Sequence, residues 1–482
     1  MTGLVIDNFA GGGGASTGIE QALGRAVDIA INHDEAAIRM HEVNHPGTLH
    51  IRNNIWQVDP LDATGGKPVS LAWFSPDCKH FSKAKGGKPR EKSIRDLAWV
   101  VVHWVKRLQE HARRQGDPEW RQIIKLICIE NVEEFRTWGP LCDNHMPIKE
   151  RSGETFNLWV AALRKCGGKI EFKELRACDY GAPTIRKRLF IVIRFDGLPI
   201  VWPAPSHGKP GSPEVVSGNR LPWRTAAEII DWSIACPSIF ERKKPLAEKT
   251  LRRIAHGIMK FVVNNPRPFI VDTAFKNTRA SRVFDIEDPL RTQTAQPSQA
   301  LVVPHITKFR TGAIGHDIAE PLATVTANSF IKRPGGSAPL GLVEATLHTV
   351  SAGGTHMAEV RAFLLKYYSS AQHGQELSEP LHTMTHQARF GLVTVTIEGE
   401  EYVIVDIGMR MLSPRELFNA QGFPPDYIID HDASGVAITK TAQVAKCGNS
   451  VCPPLACALV RANHPDAGAL TESPDVLMET AA

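Results

Sequence analysis

The sequence predicts an α/β protein: a parallel sheet covered by helices on both faces, interrupted by a β-rich block. Three observations carry this. Short apolar runs alternate with helical patterns over the first 200 residues. Several runs are apolar at consecutive positions, as strands buried on both faces are. The alternation stops at a proline-rich stretch near Trp202, and a helix-forming pattern returns only after Val405.

The elements follow in order. Leu4-Val-Ile is a strand candidate, followed by the glycine run Gly11 to Gly14 and a helix through Leu23. Val27–Ile31 and Val69–Phe74 are further strands, Ile94 to Leu108 has helical spacing, and Ile123–Ile129 is a continuous apolar strand leading to Glu130. Leu189–Ile193 is the last strand before Pro203, Pro205, Pro210 and Pro213. A basic amphipathic helix is expected over Leu246 to Val262.

An internal repeat comes next. Pro289-Leu-Arg-Thr-Gln-Thr294, Pro321-Leu-Ala-Thr-Val-Thr326 and Pro380-Leu-His-Thr-Met-Thr385 share the form P-L-x-T-x-T, each after Asp288, Glu320 or Glu379. An aliphatic run follows each copy, at Leu301–Val303, Leu342–Val343 and Leu392–Val393. Alternating threonines suit half-exposed strands, so the block reads as stacked β units, either duplicated scaffold or a surface that reads nucleic acid. Pro414–Phe418 and Gln443–Arg461 return to helix. The expected division is 1–205, 206–404, 405–465 and a frayed tail over 466–482.

The bulk numbers agree with this plan. A chain of 482 residues is long for one core, and two or three domains are expected. With 43% hydrophobic and 22% charged residues it reads as globular, and no apolar run approaches a membrane span. No signal peptide is expected, because no basic region with a long apolar stretch opens the chain. The net charge of +5 permits a polyanionic partner without demanding one. The nine cysteines are scattered and lack CxxC spacing, which points to reduced thiols in a cytoplasm and to no metal site.

Four motifs bear chemistry. Asp7-Asn-Phe-Ala-Gly-Gly-Gly-Gly-Ala-Ser-Thr-Gly18 joins a strand to a helix and lets backbone N–H groups approach a ligand. Alone it fits a dinucleotide, a phosphate, S-adenosylmethionine or a tight turn with no ligand. Ser75-Pro-Asp-Cys-Lys-His-Phe-Ser82 sets Cys78 at the carboxyl end of a strand, where such sheets hold their sites. Lys79, Lys83, Lys85, Lys88, Arg90, Lys92 and Arg95 follow, opposed only by Glu91. That charge favours a thiolate and suits phosphate contacts; the alternative is an unreactive thiol beside a solvated loop. Ile129-Glu-Asn-Val132 offers a carboxyl group at the same sheet edge, or a surface acid. Arg186 and Arg188, two apart before a buried strand, share one face and are suited to clamp a phosphate or a base carbonyl.

The order of these motifs resembles that of the cytosine-5 DNA methyltransferase family. Arg415-Glu-Leu-Phe-Asn-Ala-Gln-Gly-Phe-Pro424 and Gln443-Val-Ala-Lys-Cys-Gly-Asn-Ser-Val451 look like the family's two C-terminal motifs. The resemblance covers residues 1–200 and 405–465 and implies a Rossmann-like methyltransferase sheet with an inserted β-rich target-recognition domain. It implies Cys78 as nucleophile on cytosine carbon 6, Glu130 at ring N3, Arg188 on the base carbonyl and Arg186 as support. It implies S-adenosylmethionine held by Phe9, Gly11, Gly13, Asn32, Asn54, Ile55, Asn449 and Ser450, with no metal. Lys79, Lys83, Lys85, Lys88 and Arg90 would contact a DNA from which the base has flipped.

The sequence departs from the family pattern at Asp77 and Lys79 around the nucleophile, at Thr184 before the arginines, and at Asn32 and Asn54, where acids are usual. The expected partner is double-stranded DNA, with a cognate restriction endonuclease permitted by the family. A monomer in the cytoplasm, on the nucleoid, is expected. A tRNA cytosine-5 methyltransferase shares this core, and a DNA-binding homologue without activity is the other alternative.

Overall fold

β1 (Leu4–Asn8), β2 (Ile29–Asn32), β3 (Leu49–Arg52), β4 (Val69–Phe74), β5 (Ile124–Asn131), β6 (Lys169–Arg176) and β7 (Lys187–Arg194) form one sheet. Their spatial order is β3-β2-β1-β4-β5-β7-β6. The computed structural model describes residues 3–76, 96–235, 237–248, 250–251, 254, 269–272, 283–290, 299–304, 341–342, 358–359, 363–365, 391–397, 400–403 and 407–470.

The apolar strands divide their side chains between two cores. Val5, Leu71, Trp73, Leu126, Cys128, Phe190 and Val192 pack on one face; Ile6, Ala72, Phe74, Ile127, Ile129, Leu189 and Ile191 pack on the other. This is the period-2 alternation of a strand with both faces buried. The first face is covered by α1 (Gly14–Leu23) and the C-terminal helix Pro453–Asn463, through Ala15, Ile19, Leu455 and Leu459. The second is covered by helices Trp99–Arg114 and Glu154–Lys165, through Val101, Val105, Leu108, Trp159 and Leu163. Close packing dictates Gly18: a Cβ there would lie 2.4 Å from Pro453 O and 2.7 Å from Ala456 Cβ.

One expectation is corrected. The sheet is not wholly parallel, because β7 runs antiparallel to both β5 and β6. The pattern of Leu189–Ile193 shows a buried strand but carries no sign of direction. Two edge strands also escaped the sequence reading. Lys169–Arg176 is half-exposed and rich in charge, as edges usually are, and Leu49–Arg52 is short and half-exposed, so neither presents an apolar run. The expected helix from Ile94 starts as helix at Trp99 and runs on to Arg114. Pro465–Leu470 forms a 3₁₀ turn that buries Ala467, so this part of the expected frayed tail is ordered.

The chain divides into two units. The first holds Met1–Ile229, Pro289–Gln296 and Pro414–Ala482; the second holds Ile230–Asp288 and Pro297–Ser413. In the second unit an antiparallel sheet joins Val283–Asp285, Phe269–Asp272, Gln299–Pro304 and Ile407–Met411 in that order. Strands Gln299–Pro304 and Gly391–Ile397 contain the aliphatic runs that follow the first and third repeats. The second and third repeats themselves, and most of the expected basic helix at 246–262, lie outside the described residues. No helix among the described residues is long and apolar enough to cross a membrane.

Candidate active site

The antiparallel course of β7 brings the first group of residues together. β5 ends in Glu130 and Asn131 at the carboxyl edge of the parallel strands. A parallel β7 would put its start at the opposite edge; running the other way, it starts at Lys187 beside that end. Glu130 pairs with Phe190 in register, and Arg188, two residues earlier, shares the face of Phe190. Arg188 Nε therefore lies 3.1 Å from Glu130 Oε1, and Arg186 Nη2 lies 3.9 Å from the same oxygen.

Glu130 and Arg186 are buried, at 8% and 4% exposure. The Arg188 contact is ionic without the angle of a hydrogen bond, and Glu130 Oε1 has no hydrogen-bond donor among the described residues. Arg186 Nη1 donates to Gly448 O at 3.1 Å, which ties the pair to the C-terminal segment. Glu130, Ala177, Arg186, Arg188, Phe190, Val451, Cys452 and Leu455 line a narrow cavity of about 10 Å³, room for roughly one water. It is the floor of a site rather than space for a pyrimidine ring.

Cys78 and the basic residues Lys79, Lys83, Lys85, Lys88 and Arg90 lie outside the described residues. The chain leading to Cys78 is described to Pro76, and it is pinned on two sides. Asn8 accepts from Ser75 N–H through its backbone carbonyl at 3.2 Å and donates its amide to Trp73 O at 3.3 Å. Asn131 Nδ2 donates to Pro76 O at 3.2 Å. Asn131 thus ties the end of β5 to the approach to Cys78, a role its place in Glu-Asn-Val did not disclose.

Cys452, a second thiol, lines the same cavity. Burial pushes it up to about 12, and its Sγ donates to Gln421 Oε1 at 2.7 Å. It is a packing thiol, not a nucleophile. The seven described cysteines are all free. No cluster of metal ligands occurs among the described residues.

The glycine turn forms the second group. Phe9 takes φ +66°, a left-handed conformation that costs a bulky residue about 1–3 kcal/mol. Two bonds hold it, from Phe9 N and Ala10 N to Ile31 O at 2.9 and 3.1 Å. The glycines that follow are dictated by packing as much as by a ligand. An added Cβ at Gly12 would meet Lys446 O at 3.1 Å, at Gly13 Tyr427 Oη at 2.0 Å, and at Gly14 Val451 O at 2.0 Å. Only at Gly11 is the space open, with nothing nearer than 3.6 Å, and its φ of +54° favours glycine.

Several expected cofactor contacts spend their hydrogen bonds within the protein. Ser450 Oγ accepts from Gly14 N at 3.1 Å. Asn54 caps the turn Ile55–Gln57 by accepting from Trp56 N at 3.1 Å. Asn32 Oδ1 accepts from Asp34 N at 2.9 Å. Asn32 O also accepts from Asn53 N at 3.1 Å, which brings the Asn32 and Asn54 positions to one edge. Ile55 is buried, and Asn449 is exposed beside Gly11.

Beneath the turn runs a buried polar chain that the motif search missed. Ser16 Oγ donates to Asp7 Oδ2 at 2.8 Å, so His41 Nε2, 2.9 Å from Ser16 Oγ, must be the donor of that pair. His41 Nδ1 then accepts from His50 Nε2 at 2.8 Å. With Asp7 as the final acceptor, the donors run from half-buried His50 to buried Asp7. Beside it, Tyr427 Oη donates to Gly12 O at 2.9 Å and lies 3.2 Å from His45 Nε2, while His45 Nδ1 meets Glu20 Oε2 at 2.9 Å. Burial lowers His41 well below the usual histidine range and raises Asp7 to about 7. The one sequence signal was His41 and His45, four apart and therefore on one helical face.

Comparison with known proteins bears on the whole arrangement. The C-5 cytosine-specific DNA methylase family model matches residues 4–201 and 340–463. The Type II methyltransferase M.AgeI of Thalassovita gelatinovora is 29% identical over 209 residues, 42% of this chain and 42% of its own. M.SacI of Streptomyces achromogenes is 23% identical over 47% of this chain and 57% of its own. M.AquIA of Picosynechococcus is 24% identical over 48% and 88%. The chain spans about half the length of the first two relatives. With the family model matching both stretches, well over half of the chain, and the sheet, turn and carboxylate in order, the chain belongs to the C-5 cytosine-specific DNA methylase family.

Proposed function

We propose that this protein transfers a methyl group from S-adenosylmethionine to carbon 5 of a flipped-out cytosine in duplex DNA, through a covalent Cys78 adduct. The observation that carries the reading is Glu130: a buried carboxylate with one oxygen that no described residue hydrogen-bonds, near two guanidiniums, at the sheet edge from which the chain runs on to Cys78. That oxygen suits the exocyclic amino group and N3 of a cytosine ring.

Carbon 5 of cytosine is a weak nucleophile. The Cys78 thiolate adds to carbon 6, and the ring electrons move towards N3 and carbon 5. Glu130 holds a proton between its carboxyl group and N3, so negative charge does not accumulate on the ring. Arg188 contacts the base carbonyl, and Arg186 supports both from below. S-adenosylmethionine, when bound, supplies the electrophilic methyl group that carbon 5 takes up. The carbon 5 proton then passes to solvent, the carbon–sulfur bond breaks and Cys78 leaves as thiolate.

The residues around the glycine turn fit such a cofactor. Gly11 leaves open space, the ring of Phe9 is only partly covered, and Asn449 is exposed beside them. Asn32, with its oxygen engaged by Asp34 N, offers N–H donors where the family's usual acid offers acceptors. Gly13, Asn54 and Ser450 shape the cradle rather than contact the ligand with the groups described above. The loop of Lys79, Lys83, Lys85, Lys88 and Arg90 serves the phosphates and covers the flipped base, and the enzyme acts as a monomer.

The test is transfer of labelled methyl to duplex DNA and, separately, to tRNA, followed by bisulfite mapping. Label on duplex cytosines that is lost in Cys78→Ser, with cofactor binding retained, is the expected result. Transfer to tRNA alone would replace this reading by the tRNA enzyme. DNA binding without transfer would leave an inactive homologue.

A further inference from the structure

The first P-L-x-T-x-T repeat contributes something its place in an inserted block does not suggest. Residues Pro289–Gln296 belong to the first unit, although the chain on both sides of them belongs to the second. Its head, Pro289 and Leu290, is buried, with Leu290 2% exposed. Leu290 forms a parallel bridge with Thr184, itself 0% exposed.

The backbone of the segment before the arginines pairs with Leu290 on both of its bonding sides. Thr184 N closes a tight turn onto Ala182 O at 2.7 Å. Ile185 N donates to Leu290 O at 2.6 Å, and Leu290 N donates to Pro183 O at 2.8 Å. Only at Arg186, whose carbonyl accepts from Ala177 N at 2.8 Å, does ordinary pairing of the sheet begin. Buried backbone groups need partners, and Leu290 supplies them to Pro183 O and Ile185 N. It also fixes where that segment stands. Arg188 is held within β7 by its pairing with Leu175 of β6, but Arg186 precedes the strand, and a shift of Pro183–Ile185 would carry it away from Glu130.

We propose that Pro289–Leu290 is a positioning element for the arginines of the active site: by pairing with Pro183–Ile185 it anchors the entry to β7 and so holds Arg186 beside Glu130 and Arg188. Leu290 touches no reacting atom and acts through the strand. The proposal rests on the assignment of Glu130 and the arginines to catalysis, and it adds a residue more than 100 positions away in sequence whose backbone holds the segment before them.

Three variants of the full-length protein test it. Leu290→Pro removes the N–H that bonds Pro183 O, Leu290→Ala keeps the N–H but removes the buried side chain that seats the pair, and Leu290→Met is the conservative control. The readouts are kcat and KM for duplex DNA, S-adenosylmethionine affinity, and hydrogen exchange at the Ile185 amide. Leu290→Pro is expected to lower kcat by about 10- to 100-fold, the scale of a small misplacement of catalytic groups. Cofactor affinity should stay within twofold, and Ile185 should lose protection. Leu290→Met should keep both kcat and protection.

Wild-type kcat in Leu290→Pro, or an Ile185 amide as protected as in the parent, overturns the proposal. If Leu290→Pro does not fold, Leu290→Ala decides: faster exchange at Ile185 with a lower kcat supports it, and no change in either overturns it. If the parent protein transfers no methyl group, the catalytic assignment fails by itself, while the exchange at Ile185 still reports whether the clip exists.

Discussion

Arg188 Nε stands 3.1 Å from Glu130 Oε1 across the antiparallel pair β5 and β7, and Arg186 Nη2 reaches the same oxygen at 3.9 Å. One buried carboxylate thus faces two cations, while the oxygen they approach has no hydrogen bond among the described residues. Glu130→Gln keeps the shape and removes both the charge and the proton-holding group. Its kcat for methyl transfer should fall by about 10²–10⁴-fold, the usual range for a lost general acid–base group. Single-turnover transfer with a circular-dichroism check of folding measures it. A variant within threefold of the parent would move the chemistry away from Glu130.

Cys452 provides a control for the nucleophile. It lines the floor of the same site, yet burial raises it to about 12 and Gln421 Oε1 holds its Sγ. Cys452→Ser should keep transfer within about fivefold, since a hydroxyl donates to Gln421 at least as well as a thiol. Cys78→Ser should lose it. If Cys452→Ser folds normally and is inactive, the thiol at the site floor must have a chemical role.

Much of this arrangement was legible in the sequence. Val69–Phe74, apolar but for Ser70, forms β4 with those bounds. Glu130 could be set at a strand end because the apolar run Leu126–Ile129 leads straight into it. The meeting of Arg188 with Glu130 was not derivable from spacing, because it depends on β7 running against its neighbours, and an apolar run has the same pattern in either direction. The polar chain under the glycine turn was hidden for a related reason. His41, His50 and Tyr427 come from distant segments and carry no shared motif; only the folded chain makes them neighbours of Asp7 and Gly12. The extra glycines at 12 and 14 look like ligand space in sequence and prove to be contact surfaces for Lys446, Ser450 and Val451.

Tyr427 links that packing to the cofactor turn. Its hydroxyl donates to Gly12 O and lies within reach of His45 Nε2, and it fills the space where a side chain on Gly13 would stand. Tyr427→Phe leaves Gly12 O and His45 Nε2 without this partner in a buried place, at a cost of about 1–3 kcal/mol. The melting temperature should fall, and S-adenosylmethionine affinity should fall several-fold as the turn loosens. Calorimetric titration measures the second effect. Gly13→Ala should be worse, since it adds a Cβ 2.0 Å from Tyr427 Oη at a φ of +85°. Unchanged cofactor affinity in both variants would detach the turn from cofactor binding.

Asp7 gives the chain a pH dependence with a definite sign. Its carboxyl group is fully buried, Ser16 is its hydrogen-bond donor, and the negative charge of Glu20 adds to the effect of burial. Burial raises it from 3.8 to about 7. Between these values the folded chain keeps a proton that the unfolded chain has released. The contribution is therefore full below about pH 4 and is lost as pH rises towards 7, with a slope of up to about 1.4 kcal/mol per unit. Asp7→Asn has the same shape and no such titration. Urea unfolding of both proteins at a series of pH values from about 4.5 to 7.5 should show the parent losing ground steadily to Asp7→Asn as pH rises. His50 and His41 lie nearby in both proteins, so their own titration largely cancels in the difference. Parallel curves would mean that Asp7 is already ionised throughout, and that the Ser16 hydroxyl outweighs the burial.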